Sequence, residues 1–148
     1  MADFSSLGGG DTVSPPYAVS PIAAAALPAG TPVILNGSGQ AAAAQANTQA
    51  GATSIGVLRS ASQAGSPADV QWGSSLTLDD SQWASVVAGA PSGGLTPGAT
   101  YYVSEATPGV LTSTKPGVGD QWVKVVGVAE SANSLFLIPG APVIVGDI

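Results

Sequence analysis

From Ala68 to Asp80 the chain reads ADVQWGSSLTLDD, which sets Val70, Trp72, Leu76 and Leu78 on one side and Gln71, Ser75, Thr77 and Asp79 on the other. A two-residue period kept up over about nine positions predicts a half-buried β-strand, with Trp72 on its core side. Shorter stretches carry the same signal. SIGVLRSAS places Ile55, Val57 and Arg59 on one face, and TYYVS places Tyr101 and Val103 opposite Tyr102. SLFLIP reads as a late strand and GAPVIVGDI as an apolar tail with an edge strand. In PVILNGSGQA, Asn36-Gly37 supplies the positive φ values of a hairpin turn between two strands. The runs Ala23–Ala26 and Ala41–Ala44 have helical propensity, but each is short and closed in by Pro or Gly. In QWVKVVGVAES the alternation slips at Val125-Val126-Gly127, which predicts a β-bulge.

One segment has helical spacing. In DDSQWASVVAGAP, Trp83, Val86 and Val87 fall at i, i+3 and i+4, Asp80 is placed to cap, and Gly89 with Pro91 ends the turn. The prediction is all-β (mainly β): a small β-barrel or sandwich of short antiparallel strands, with one short helix near 80–88. Residues 1–20, with Gly8-Gly9-Gly10 and Pro15-Pro16, have no sustained period and read as an extended N-terminal arm. Residues 21–140 form the β-rich head and 141–148 a C-terminal tail.

The head repeats itself. AGTPVILNGSGQA (29–41) corresponds to PGATYYVSEATPGVL (97–111), and SIGVLRSAS (54–62) to VVGVAESAN (125–133). Two similar β-modules follow, at about 28–78 and 93–140.

Composition then narrows the function. Only 8% of residues are charged and the net charge is −6, against about 25% charged in ordinary soluble chains. The three basic residues, Arg59, Lys115 and Lys124, cannot build a stripe that neutralises phosphates, so no nucleic acid is expected as a partner. The longest small apolar run, PIAAAALPAG, is too short for a bilayer, and no membrane partner is expected. With no Cys and no His, disulfides, thiolate chemistry and the usual zinc sites drop out. A glycosidase needs only two carboxylates. Here Asp69, Asp79, Asp80, Glu105, Asp120 and Glu130 are scattered over turns and strand ends. The Asp79-Asp80 pair supplies too few oxygens for calcium and suits helix capping. No catalytic, cofactor-binding or metal-binding residues are therefore expected, and the chain is read as no enzyme, with no cofactor. Tyr101 belongs with Trp72 in the core, while Tyr102 and Trp122 are the aromatics free for a partner.

The segments GLTPGATYYVSEATPGVLTST and VKVVGVAESANSLFL resemble a small β-module of tailed-bacteriophage virion proteins: capsid decoration (cement) proteins, head fibres and tail-associated proteins. The first half, TPVILNGSGQA, SIGVLRSAS and ADVQWGSSLTL, is similar to the core pattern of lambda-type head decoration proteins. The likeness covers about residues 28–140. This chain is longer than that type, with a second module and a Gly/Pro-rich arm. The resemblance implies a structural virion protein made in the host cytoplasm and placed on the outer capsid surface. It would bridge capsomers of the major capsid protein, as a homotrimer, and stabilise the head. The contact residues expected are Phe4, Leu7, Tyr17 and Val19 of the arm, with Tyr102 and Trp122 of the head. The alternative the resemblance leaves open is a head- or tail-fibre adhesive module, with the aromatics stacking on a host-surface glycan or receptor.

Overall fold

A computed structural model describes residues 18–89, 94–117 and 121–144. The architecture is all-β, as the alternation predicts. It comprises β1 (Ala18–Val19), β2 (Pro32–Leu35), β3 (Ala41–Ala43), α1 (Gln49–Ala52), β4 (Gly56–Leu58), β5 (Val70–Gln71), β6 (Ser74–Thr77), α2 (Asp80–Ala84), β7 (Thr100–Val103), β8 (Leu111–Thr112), β9 (Trp122–Val123), β10 (Val125–Ala129), β11 (Ser134–Leu137) and β12 (Val143–Ile144). Ten of these strands make two five-stranded sheets, ordered β1-β5-β4-β2-β3 and β6-β11-β10-β7-β8, and β9 pairs with β12 in a separate ribbon.

The two sheets have one topology, and the register makes the correspondence residue by residue. In the first sheet Pro32 pairs with Val57 and Val33 with Gly56; in the second, Thr100 pairs with Val128 and Tyr101 with Gly127. The next strand follows suit, Val57 facing Gln71 where Val128 faces Phe136. The turns that lead into β2 and β7 match as well. Gly30 donates its N–H to the Leu58 carbonyl and Gly98 to the Ala129 carbonyl, each at 2.8 Å. The edge strand, however, comes from a different place in each sheet. The first sheet is completed by β1, from the start of the described chain, and the second by β6, which directly follows the first set of strands.

That exchange corrects the reading of ADVQWGSSLTLDD as one strand. β5 ends at Gln71, and β6 then pairs with β11 in the other sheet. The corner is built by Gly73 and by Ser74, whose φ of 64° lies in the left-handed region. The buried Gln71 side chain holds it, its Nε2 donating to the carbonyls of Gly73 (2.7 Å) and Ser75 (3.1 Å). Leu76 and Leu78 still reach the core, but Trp72 stands at the corner and is only half-buried.

A main cluster joins the sheets through Val57, Leu76, Tyr101, Val103, Leu135 and Leu137, with Trp83, Val86 and Val87 wedged among them. A smaller cluster, Ala23, Val33, Ala41, Leu58, Ala68 and Val70, fills the other face of the first sheet. Residues 21–29 cover it through bridges of Ile22 to Pro67, Ala23 to Ala41 and Leu27 to Ser62. Ile55 packs with this smaller cluster and Val57 with the main one, so they do not share a face as the alternation predicts. Gly56 between them, at φ 156°, breaks the period. Arg59 leaves the apolar set altogether and pairs with Asp69 at 2.7 Å.

Three local readings also change. The β2–β3 hairpin forms, but its positive φ falls at Gly39 and not at Asn36-Gly37. The Asn36 Oδ1 accepts from the N–H groups of Ser38 and Gln40 and so folds a longer loop. The cap of α2 is Asp79, not Asp80. Its Oδ1 accepts from the Gln82 N–H at 2.8 Å while the Gln82 side chain accepts from the Asp79 N–H, a reciprocal capping box. The Gln82 N–H bond, and after it the bond from the Ser81 hydroxyl at 2.8 Å, hold the Asp79 carboxyl below the usual carboxylate range. Asp80 instead accepts from Asn133 Nδ2 at 2.6 Å. The helix stops at Ala84, short of the expected 88, although Val86 and Val87 are buried. The bulge at Val125–Gly127 lies where the slip in alternation puts it, between β10 and β7.

Candidate functional site

Of the six expected contact residues, Phe4, Leu7 and Tyr17 lie outside the described residues. Val19 belongs to β1, which pairs with β5, so ordered strand begins inside the stretch read as arm. Val19 is exposed. Tyr102 is half-buried and borders a groove of about 270 Å3 with Lys115, Val123, Val125 and Val143. Trp122 is not the free aromatic expected. It is half-buried against the main core, and its backbone N–H donates to the Ala46 carbonyl at 3.0 Å. Pairing of β9 with β12, through Ile144 opposite Trp122, holds it there. The structure does not bring Val19, Tyr102 and Trp122 to one groove.

What it does gather is an apolar face around Trp72. On one side of the indole, a groove of about 350 Å3 runs between Val19, Pro21, Leu35 and Ile55. On the other, a groove of about 360 Å3 is bordered by Ser74, Phe136, Ile138 and Pro139. Trp72 lines both grooves and also a smaller cavity of about 50 Å3 between them. Val19, Leu35, Phe136 and Ile138 are among the large apolar side chains left exposed, at 43%, 49%, 45% and 38%. Singly, exposed apolar residues need no explanation; a contiguous set bordered by grooves marks a contact surface.

Leu35 and Phe136 are each presented by a strand for a definite reason. Leu35 ends β2, one residue before the Asn36 loop. In β11 the neighbours Leu135 and Leu137 point into the core, so alternation turns Phe136 outward. Phe136 occupies the place that Gln71 holds in the first sheet. Alternation within SLFLIP carries that signal for Phe136. Trp72 escapes sequence reading because the corner after Gln71 is not written in the period.

The cavity beside Trp72 holds the least expected residue. Lys124, at the β9–β10 junction, is only 4% exposed and lines the cavity with Ile55, Val126 and Leu137. Its Nζ donates to the Val125 carbonyl at 2.9 Å. Among the described residues the single salt bridge is Arg59–Asp69, so no described carboxylate meets this ammonium. Burial pushes the Lys124 amine below the usual lysine range. Between that lowered value and the ordinary one, the unfolded chain binds a proton that the folded chain has released. Stability therefore rises with pH across that window. In denaturant titrations over the alkaline range, Lys124→Met is expected to flatten this rise and to be the more stable protein below the window. Identical slopes in the two proteins would show the amine to be freely solvated.

The remaining polar hollow, of about 390 Å3, is bordered by Asp80, Thr96, Tyr101 and Ser113. The Tyr101 hydroxyl there accepts from the Thr96 N–H at 2.8 Å, a bond that ties the turn before β7. Among the described residues no group of three or more His, Cys, Asp or Glu is placed to hold a metal ion. No described helix is long and apolar enough to cross a membrane. Neither a family model nor a curated protein matches this chain.

Proposed function

We propose that this protein is a structural contact subunit of a tailed-phage virion, a decoration protein that lies on the outside of the head and bridges capsomers. The observation that carries the reading is the apolar face around Trp72, set on a chain with a net charge of −6 and 8% charged residues. A subunit whose product is contact area needs apolar surface with few charges to desolvate, on a rigid β frame. Two sheets of one topology, joined by a shared core, supply the frame. Every subunit that docks adds burial, and by mass action favours the assembled shell over its parts. A homotrimer is the assembly the sequence resemblance favours.

The test is cosedimentation of the purified chain with expanded, undecorated heads of its own phage, with whole host cells in parallel. Saturable binding to heads, at a stoichiometry fixed by the lattice, is expected. Binding to cells and not to heads would replace this reading with the adhesive one. Trp72→Ala is expected to weaken head binding at least about tenfold. Because the indole is half-buried at a corner, this variant is expected to keep its fold. A variant that binds heads as well as the parent would remove Trp72 from the contact.

A further inference from the structure

We propose that the Lys124 cavity receives an Asp or Glu side chain, carried between apolar residues on a segment of the protein this chain docks on. The inference rests on reading the Trp72 face as the contact surface and names the chemistry recognised at its centre.

Charge complementarity points to the occupant. An ammonium has three donors, and the Val125 carbonyl takes one at 2.9 Å. No other acceptor within hydrogen-bond reach is found for it among the described residues. A cation this buried in an apolar cavity is costly to maintain unless an anion meets it. The cavity of about 50 Å3 lies against Lys124 at the junction of the two sheets, with Ser54 and Gly56 on one wall and Leu137 to Gly140 on the other. It holds the volume of more than one water molecule, room enough for a carboxylate. The grooves on its two sides are lined by Leu35, Ile55, Phe136 and Ile138, so the residues flanking that carboxylate must themselves be apolar. One buried charge among apolar grooves gives register: a partner segment seats in a single frame, and a segment with Asn in place of Asp leaves the ammonium unpaired.

The test uses the full chain with 15N- and 13C-labelled lysine, in which Lys115 is an internal control for Lys124. Two synthetic peptides are titrated, N-acetyl-Ile-Asp-Val-amide and N-acetyl-Ile-Asn-Val-amide. The Asp peptide is expected to shift the Lys124 side-chain signals and to bind at least about tenfold tighter than the Asn peptide. That preference is expected to vanish in Lys124→Met. Equal affinity for the two peptides, or shifts confined to Lys115, would overturn the proposal, and this comparison needs no variant to fold. Cosedimentation separates the two readings. Parent and Lys124→Met sedimenting equally with heads would end the carboxylate proposal and leave the decoration reading intact. A parent that ignores heads yet prefers the Asp peptide would do the reverse.

Discussion

Trp83→Ala is expected to cost about 3–5 kcal/mol of folding stability, the range for deleting a large buried aromatic. In a chain of this size that lowers the melting temperature by about 10 °C or more. Trp83 is fully buried, and it sits in the cluster that joins the two sheets. Its Nε1 donates to the Asn133 carbonyl at 2.8 Å, which ties α2 to the loop between β10 and β11. Gly30 leaves room for Val86 beside the ring, since a Cβ there would lie 2.7 Å from Val86 Cγ2. Truncation thus opens a cavity and removes one of the two hydrogen bonds the Asn133 carbonyl accepts, leaving that from the Leu78 N–H at 2.9 Å. Trp83→Phe keeps much of the volume and is expected to lose about 1–2 kcal/mol, chiefly the hydrogen bond. A differential scan decides it: an alanine variant melting within 2 degrees or so of the parent would mean that the sheets do not depend on this wedge.

Gly127→Ala is expected to be nearly as damaging, at about 3 kcal/mol, for a different reason. Gly127 lies in the middle of β10, and a Cβ on it would strike the Phe136 carbonyl oxygen of β11 and approach Leu135 Cγ at 3.2 Å. Backbone cannot yield as a flexible side chain would, so β10 and β11 must part. The matching glycine of the first sheet, Gly56, is closed off in the same way by the Gln71 carbonyl, the partner equivalent to Phe136. Its φ of 156° adds a backbone conformation that side chains rarely adopt. Both alanine variants are expected to lower the urea midpoint, whereas Gly140→Ala, with open space around it, is expected to leave it unchanged. A Gly127→Ala midpoint equal to that of Gly140→Ala would refute the close approach.

These glycines show what was legible in the sequence. The likeness of SIGVLRSAS to VVGVAESAN aligns Gly56 with Gly127, and the strand registers put those two glycines at one position of one topology. Short-range alternation likewise located β7, with Tyr101 and Val103 inside, and β11. What the period cannot encode is a change of sheet. Val70, Trp72, Leu76 and Leu78 keep perfect alternation through Ser74, where the backbone turns into the left-handed region and the strand passes to the other sheet. For the same reason Trp72 reads as core and lies at the surface. Trp122 fails the opposite way, because its cover comes from β12 and from the turn at Ala46, distant in sequence. Lys124 is the extreme case: it alternates with Val123 and Val125, which border the Tyr102 groove, so its amine takes the inward side together with Val126. Local chemistry thus gave most of the strands and the β2–β3 hairpin, while the contact face is a product of where two sheets meet.

The central claim is that the face around Trp72 is the surface by which this chain holds a phage head. Hydroxyl-radical footprinting of the protein, free and sedimented on undecorated heads, addresses that face directly. Trp72, Leu35 and Phe136 are expected to be oxidised readily in the free chain and protected on heads. Equal oxidation of these residues in both states, or no chain on the heads to footprint, would contradict it.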